Sequence, residues 1–126
     1  MRRQIKDKIH YLDPIGSYSF NAAKKIIEIN NDFELIPCGS FSSIVKKVLD
    51  DKSNFGIIPI KNSSTSSIYE NLEYILSAQF WISYEINLPI NLSLIGLRDS
   101  SSTSIEEVYS HHKALEQSSF LSLKII

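Results

Sequence analysis

Apolar and polar positions along the chain switch between two periods. Lys8–Leu12 predicts a short strand that stops at "DPIGS", where proline and glycine break regular structure. Beyond it, Ala22, Ala23, Ile26 and Ile27 recur at helical spacing, with Ser17 and Ser19 as candidate N-caps and Asn30-Asn31 as the stop. Phe33–Pro37 predicts a second strand. "GSFSSIVKKVLDD" predicts a helix capped near Ser40 or Ser42, with Ile44, Val45, Val48 and Leu49 inward. Phe55–Ile60 is apolar enough to predict a third strand buried on both faces. Ile68–Leu76 then returns to helical spacing, with Ile68, Leu72, Ile75 and Leu76 inward.

The second half is less regular. Phe80–Leu97 is long and rich in β-formers, and residues 82–94 alternate strictly, which predicts a half-exposed strand despite Pro89. "RDSSSTSIEE" is a polar loop, Val108-Tyr109 a short strand candidate and "HKALEQSSFL" a helix. The order βαβαβα-β predicts a parallel α/β sheet, whose ligands bind at the carboxyl ends of the strands. No internal repeat stands out, and no linker is long enough to mark a boundary.

Composition narrows the class. The chain has 126 residues, a net charge of −1 and one cysteine, Cys38. No global field draws it to nucleic acid or to an anionic membrane. One cysteine excludes an internal disulfide framework and a cysteine metal cluster. The start "MRRQIKDKIH" has no apolar core of a signal peptide, and no apolar run reaches membrane-spanning length, so the expectation is a cytoplasmic protein.

Two strand-to-helix turns carry the candidate chemistry. "GSYS", residues 16–19, sets hydroxyls at a helix N-terminus, where unpaired N–H groups and the dipole favour a carboxylate or phosphate. The plain alternative is that Ser17 and Ser19 only cap the helix. "KNSSTSS", residues 61–67, follows the third strand in the same way. Asn62 can donate and accept there, and the hydroxyls after it can bind an anion or simply cap. In "YSHHKALEQ", adjacent histidines do not share a helix face and have no third ligand at metal spacing, so no metal site is expected. No P-loop or dinucleotide fingerprint is present. Glu28, Glu34, Glu70 and Glu73 read as solvated charges. The residues by themselves thus reach a small-anion-binding α/β domain.

"YLDPIGSYSFNAA", "IPCGSF", "FGIIPIKNSS", "YEINLPINLSLI" and "VYSHHKALEQ", in this order and spacing, resemble the prephenate dehydratase catalytic domain. The likeness runs from about Ile9 to about Leu121 and is nearest to the dehydratase part of bifunctional chorismate mutase–prephenate dehydratases. The resemblance implies a two-lobed α/β fold like type II periplasmic binding proteins, with the site in the cleft. It divides the chain into an N-terminal extension, 1–8, and a partial domain, 9–126, with the first lobe at 9–84 and the crossover and start of an incomplete second lobe at 85–126. It implies conversion of prephenate to phenylpyruvate with loss of carbon dioxide and water, in phenylalanine synthesis, with no metal or organic cofactor. It also implies a family that is usually homo-oligomeric, with no nucleic-acid or membrane partner.

By position, Asn62 and Gln117 correspond to catalytic residues of the family, and Ser17, Ser19, Ser63, Ser64 and His111 to substrate-binding positions. The chain departs from the family at Lys61 (glutamate), Ser66 (glycine), Leu92 (histidine) and His112 (proline). The family's Thr-Arg-Phe motif, the rest of its second lobe, a preceding mutase domain and a following phenylalanine-sensing domain are all absent from these 126 residues. The expectation is a truncated chain, inactive alone, with an apolar tail "FLSLKII" left open. The alternatives are a non-catalytic anion-binding module of solute-binding type and a fragment completed by another chain.

Overall fold

The computed structural model describes residues 6–61, 69–77 and 80–118. Strand β1 (Asp7–Leu12) leads through a tight turn to helix α1 (Tyr18–Ile29), then β2 (Phe33–Cys38), α2 (Phe41–Asp50), β3 (Asn54–Gly56) and α3 (Tyr69–Ser77). A 3-10 turn at Ser102–Ser104 and helix α4 (His112–Gln117) follow. The chain divides into two compact units, residues 1–88 and 89–126.

The sheet of the first unit is parallel, in the order β2-β1-β3. Leu12 stands opposite Cys38 in one ladder, and His10 opposite Gly56 in the other. Side chains alternate across a strand, so β1 splits its residues between two faces. Ile9 and Tyr11 pack with Ala23 and Ile26 of α1 and with Phe33, and Phe55 leans on the same cluster. Gly56 faces α2 instead: a β-carbon there would stand 2.5 Å from the Ile44 Cγ2. The two helices therefore cover opposite faces. Phe33 and Phe55 close the α1 side edge-to-face at 5.3 Å between centroids, and Tyr11 meets Phe20 at the same separation.

The helix ends follow the residue chemistry. The Ser17 hydroxyl accepts the Phe20 N–H, and Asn30 closes α1 by donating its N–H to the Ile26 carbonyl. Ser40, not Ser42, caps α2, by accepting the Ser43 N–H. Glu28, Glu34 and Glu73 are exposed as expected; the Glu70 side chain lies outside the description.

Four expectations require correction. The third strand is not buried on both faces: Phe55, Ile57 and Ile58 are half-buried and Ile60 is exposed. β3 is an edge strand, and β1, at the centre of the order, takes the double burial, with Ile9, His10 and Tyr11 all enclosed. The ladder of β3 also ends early, at Gly56, although the Ile57 N–H still donates to the His10 carbonyl at 2.9 Å. Leu49 and Leu76, expected inward, are exposed, each on the last turn of its helix. No strand forms over 82–94 or at Val108-Tyr109. A strand needs a ladder, and no described segment pairs with either stretch. Trp81 and Ile95 stand 94% and 89% exposed, while Ile86 still packs against the core cluster. The tail "FLSLKII" lies outside the described residues, which close on Ser118, whose hydroxyl donates to the Ala114 carbonyl at 2.8 Å at the end of α4.

Candidate functional site

The order β2-β1-β3 creates a switch point. From β1 the chain goes out through α1 to one neighbour, and from β2 it returns over the other face to β3. Ligands of open α/β sheets bind in the crevice that opens at the carboxyl ends of strands at such a point. Here those ends are the turn 13–17 after β1 and residues 57–61 after β3.

The first of these is built by two serines. The Ser17 hydroxyl donates to the Leu12 carbonyl at 2.9 Å while accepting the Phe20 N–H at 3.1 Å. The Ser19 hydroxyl accepts the Leu12 N–H at 2.9 Å. Leu12, the last residue of β1, is thus held on both of its backbone groups by the first turn of the helix that follows. The Asp13 N–H donates to the Cys38 carbonyl, and the Ser17 N–H to that of Pro14, around a cis Asp13–Pro14 peptide bond.

Capping is therefore real, but it does not exhaust the turn. The Asn21 N–H makes the first helical bond, to the Ser17 carbonyl, and Phe20 is capped. Among the described residues, the Tyr18 and Ser19 N–H groups and the Ser19 hydroxyl hydrogen have no acceptor. Three donors at the positive end of a twelve-residue helix suit a carboxylate. Ser17 and Ser19 are half-buried, while Asp13–Gly16 is open to solvent.

Gly16 makes the turn possible. Its φ of 90° lies where side-chain-bearing residues are strained, and open space surrounds the place of a β-carbon. Gly16→Ala is thus expected to cost about 1–2 kcal/mol from backbone strain alone, read as a lower urea midpoint with an unchanged slope.

At the second end, Lys61 is exposed at the close of the described strand exit. Asn62, Ser63 and Ser64 lie outside the described residues, as does Ser66. His111 and Gln117 belong to the second unit. His111 precedes α4 and its carbonyl receives the Ala114 N–H at 2.9 Å, while its ring lies 4.4 Å from that of His112. Gln117 ends α4, half-buried. The nearby Tyr109 hydroxyl donates to Glu107, which holds the phenol above its ordinary pKa and leaves it a hydrogen-bond donor near neutrality. Among the described residues no group of three or more histidines, cysteines or acids is placed to hold a metal ion. No described helix is long and apolar enough to cross a membrane.

Two buried polar residues escaped the sequence reading. His10 is 3% exposed, with Nδ1 3.6 Å from the Cys38 Sγ and Nε2 without a partner among the described residues. It lies within a strand pattern that shows no more than alternation. Asn71 is 2% exposed and its Nδ2 donates to the Pro59 carbonyl at 2.8 Å. A signal for it exists: Asn71 falls on the helix face that Ile68 and Ile75 mark out, where a polar residue calls for a partner.

Comparison with known proteins supplies the context. A family model described as prephenate dehydratase matches residues 9–124. The chain is 32% identical, over 116 residues, to a bifunctional chorismate mutase/prephenate dehydratase of Buchnera aphidicola from Acyrthosiphon pisum, covering 91% of this chain and 30% of that protein. It is 29% identical over 112 residues to the bifunctional protein of Aquifex aeolicus, covering 89% and 30%. It is 33% identical over 115 residues to arogenate dehydratase/prephenate dehydratase 1, chloroplastic, of Arabidopsis thaliana, covering 89% and 28%. The chain thus spans under a third of the length of these relatives. No solved structure matches it.

Proposed function

Since this chain belongs to the prephenate dehydratase family, we propose that its β1–α1 turn holds a carboxylate of prephenate in a dehydratase site. The supporting observation is the set of three donors without an acceptor among the described residues, the Tyr18 and Ser19 amides and the Ser19 hydroxyl, at the carboxyl end of the central strand. The wider reading is a two-lobed fold of the type II periplasmic-binding-protein kind, acting as a carbon–oxygen lyase in the cytoplasm.

In the reaction, the ring carboxylate leaves as carbon dioxide. Its bonding electrons pass through the ring and expel the hydroxyl opposite, which takes up a proton and departs as water. Aromatisation drives the step, so the protein's task is to hold the dianion and to supply one proton to the departing oxygen. Ser17 fixes the turn, Ser19 and the amides hold the carboxylate, and by resemblance Asn62 and Gln117 correspond to catalytic residues of the family.

The 126-residue chain by itself is expected to bind and not to turn over. The turn Asp13–Gly16 is open to solvent, and water at the leaving oxygen competes with an oriented proton donor. Lys61 favours a second reading, an anion-binding module without chemistry, since an exposed cation stands at the end of the β3 exit.

Calorimetry separates the two. The dehydratase reading expects prephenate to bind at least about tenfold more tightly than succinate, a difference of about 1.4 kcal/mol. Equal affinity for the two dianions would leave only the module. Phenylpyruvate formed above the uncatalysed rate would overturn the expectation of inactivity.

A further inference from the structure

Asn71 is buried, yet its side-chain amide reaches away from its own helix to the Pro59 carbonyl. Its place explains why that bond matters. β3 stops pairing early: after the Ile57 N–H donates to His10, residues 58–61 enter no ladder. Pro59 has no N–H to offer. Of the hydrogen bonds between described residues, the Asn71–Pro59 bond alone reaches 58–61. Among the described residues, this side-chain donor from α3 is the hydrogen bond that holds the chain where it leaves the sheet ahead of Lys61.

We propose that Asn71 is a positioning residue of the anion site: through the Pro59 carbonyl it aims the β3 exit at the crevice beside the β1–α1 turn. This rests on the dehydratase reading of that turn. A purely structural role would be to anchor α3 on the sheet, and the two roles separate on measurement. Pro59 is exposed, so its carbonyl can turn to water once the donor is gone. Asn71→Leu should therefore leave the fold in place while releasing the exit.

The test uses the full chain and the variants Asn71→Leu and Asn71→Asp, the second nearly isosteric but lacking the donor. Prephenate affinity is measured by calorimetry, unfolding by urea, and the Ile60 and Lys61 amides by nuclear magnetic resonance. The expected result is a loss of affinity of about tenfold in both variants, with the Ile60 and Lys61 amides shifted and the urea midpoint of Asn71→Leu close to that of the unchanged chain. Unchanged affinity, or affinity that falls only in step with the midpoint, overturns the proposal. Should the unchanged chain fail to bind prephenate, the dehydratase reading falls and takes the site role with it. The two amides then still report whether Asn71 aims the exit.

Discussion

Gly56→Val is expected to destabilise the first unit by about 3 kcal/mol, the upper part of the range for overpacking a filled core. A β-carbon at position 56 would stand 2.5 Å from the Ile44 Cγ2 and 3.2 Å from the Val48 Cγ2, and valine adds two methyl groups beyond it. Neither side can yield easily. Ile44 is fully buried, and β3 is tied to β1 both by its ladder and by the Ile57 N–H to the His10 carbonyl. Helix α2 has to lift. Domains of this size are stable by only about 5–15 kcal/mol, so a loss of that size is readily seen as a lower urea midpoint. Removing the opposing methyl should return part of the loss: Gly56→Ala combined with Ile44→Ala is expected to be more stable than the sum of the single changes implies. Full additivity would mean that the two residues do not press on each other.

The second large effect concerns the turn itself. Replacing both Ser17 and Ser19 by alanine removes three hydrogen bonds that close on Leu12 and Phe20. One of them is the cap of α1, typically about 1 kcal/mol, and the others are half-buried bonds of about 0.5–1.5 kcal/mol each. A loss of about 2–4 kcal/mol in stability is expected. The change also deletes the Ser19 hydroxyl and frees the end of β1 from the helix, so the remaining amides are no longer held together. Prephenate affinity is expected to fall by at least about tenfold. The single variants divide the effect. Ser17→Ala should fall mainly on stability, because both functions of that hydroxyl are internal. Ser19→Ala should fall more on binding, because its hydrogen finds no acceptor among the described residues. Equal behaviour of the two would argue that both serines only cap.

Much of this architecture was legible residue by residue. The β1–α1–β2–α2 order, the stop at Asn30 and the cap at Ser17 rest on local chemistry: period, proline, glycine and short polar side chains. What was not legible depends on which strand lies beside which. Phe55–Ile60 reads as a central strand by its run of apolar residues, yet the order β2-β1-β3 puts it at an edge and gives the centre to β1, whose His10 breaks the apolar run. The alternation over 82–94 is just as plain, but alternation names no partner, and the described residues offer none. Leu49 and Leu76 follow the helical period yet stand exposed, and on the last turn of α2 it is Val48 that meets Gly56.

The candidate site shows the same division. Ser17 and Ser19 were visible as hydroxyls at a strand-to-helix turn, and the structure adds that Ser17 is spent within the turn while Ser19 keeps a donor. Asn71 was hidden because its partner, Pro59, is twelve residues away, and a polar residue on an apolar stripe announces a partner without naming it.

The central claim is that a carboxylate of prephenate sits on the β1–α1 turn. A nuclear magnetic resonance titration of the 126-residue chain with prephenate tests it most directly. The account predicts saturable shifts centred on the amides of Gly16 to Phe20, reduced at least about tenfold in apparent affinity by the Ser17→Ala, Ser19→Ala pair. Shifts that leave those amides unmoved, or that persist with unchanged affinity in the double variant, would contradict it.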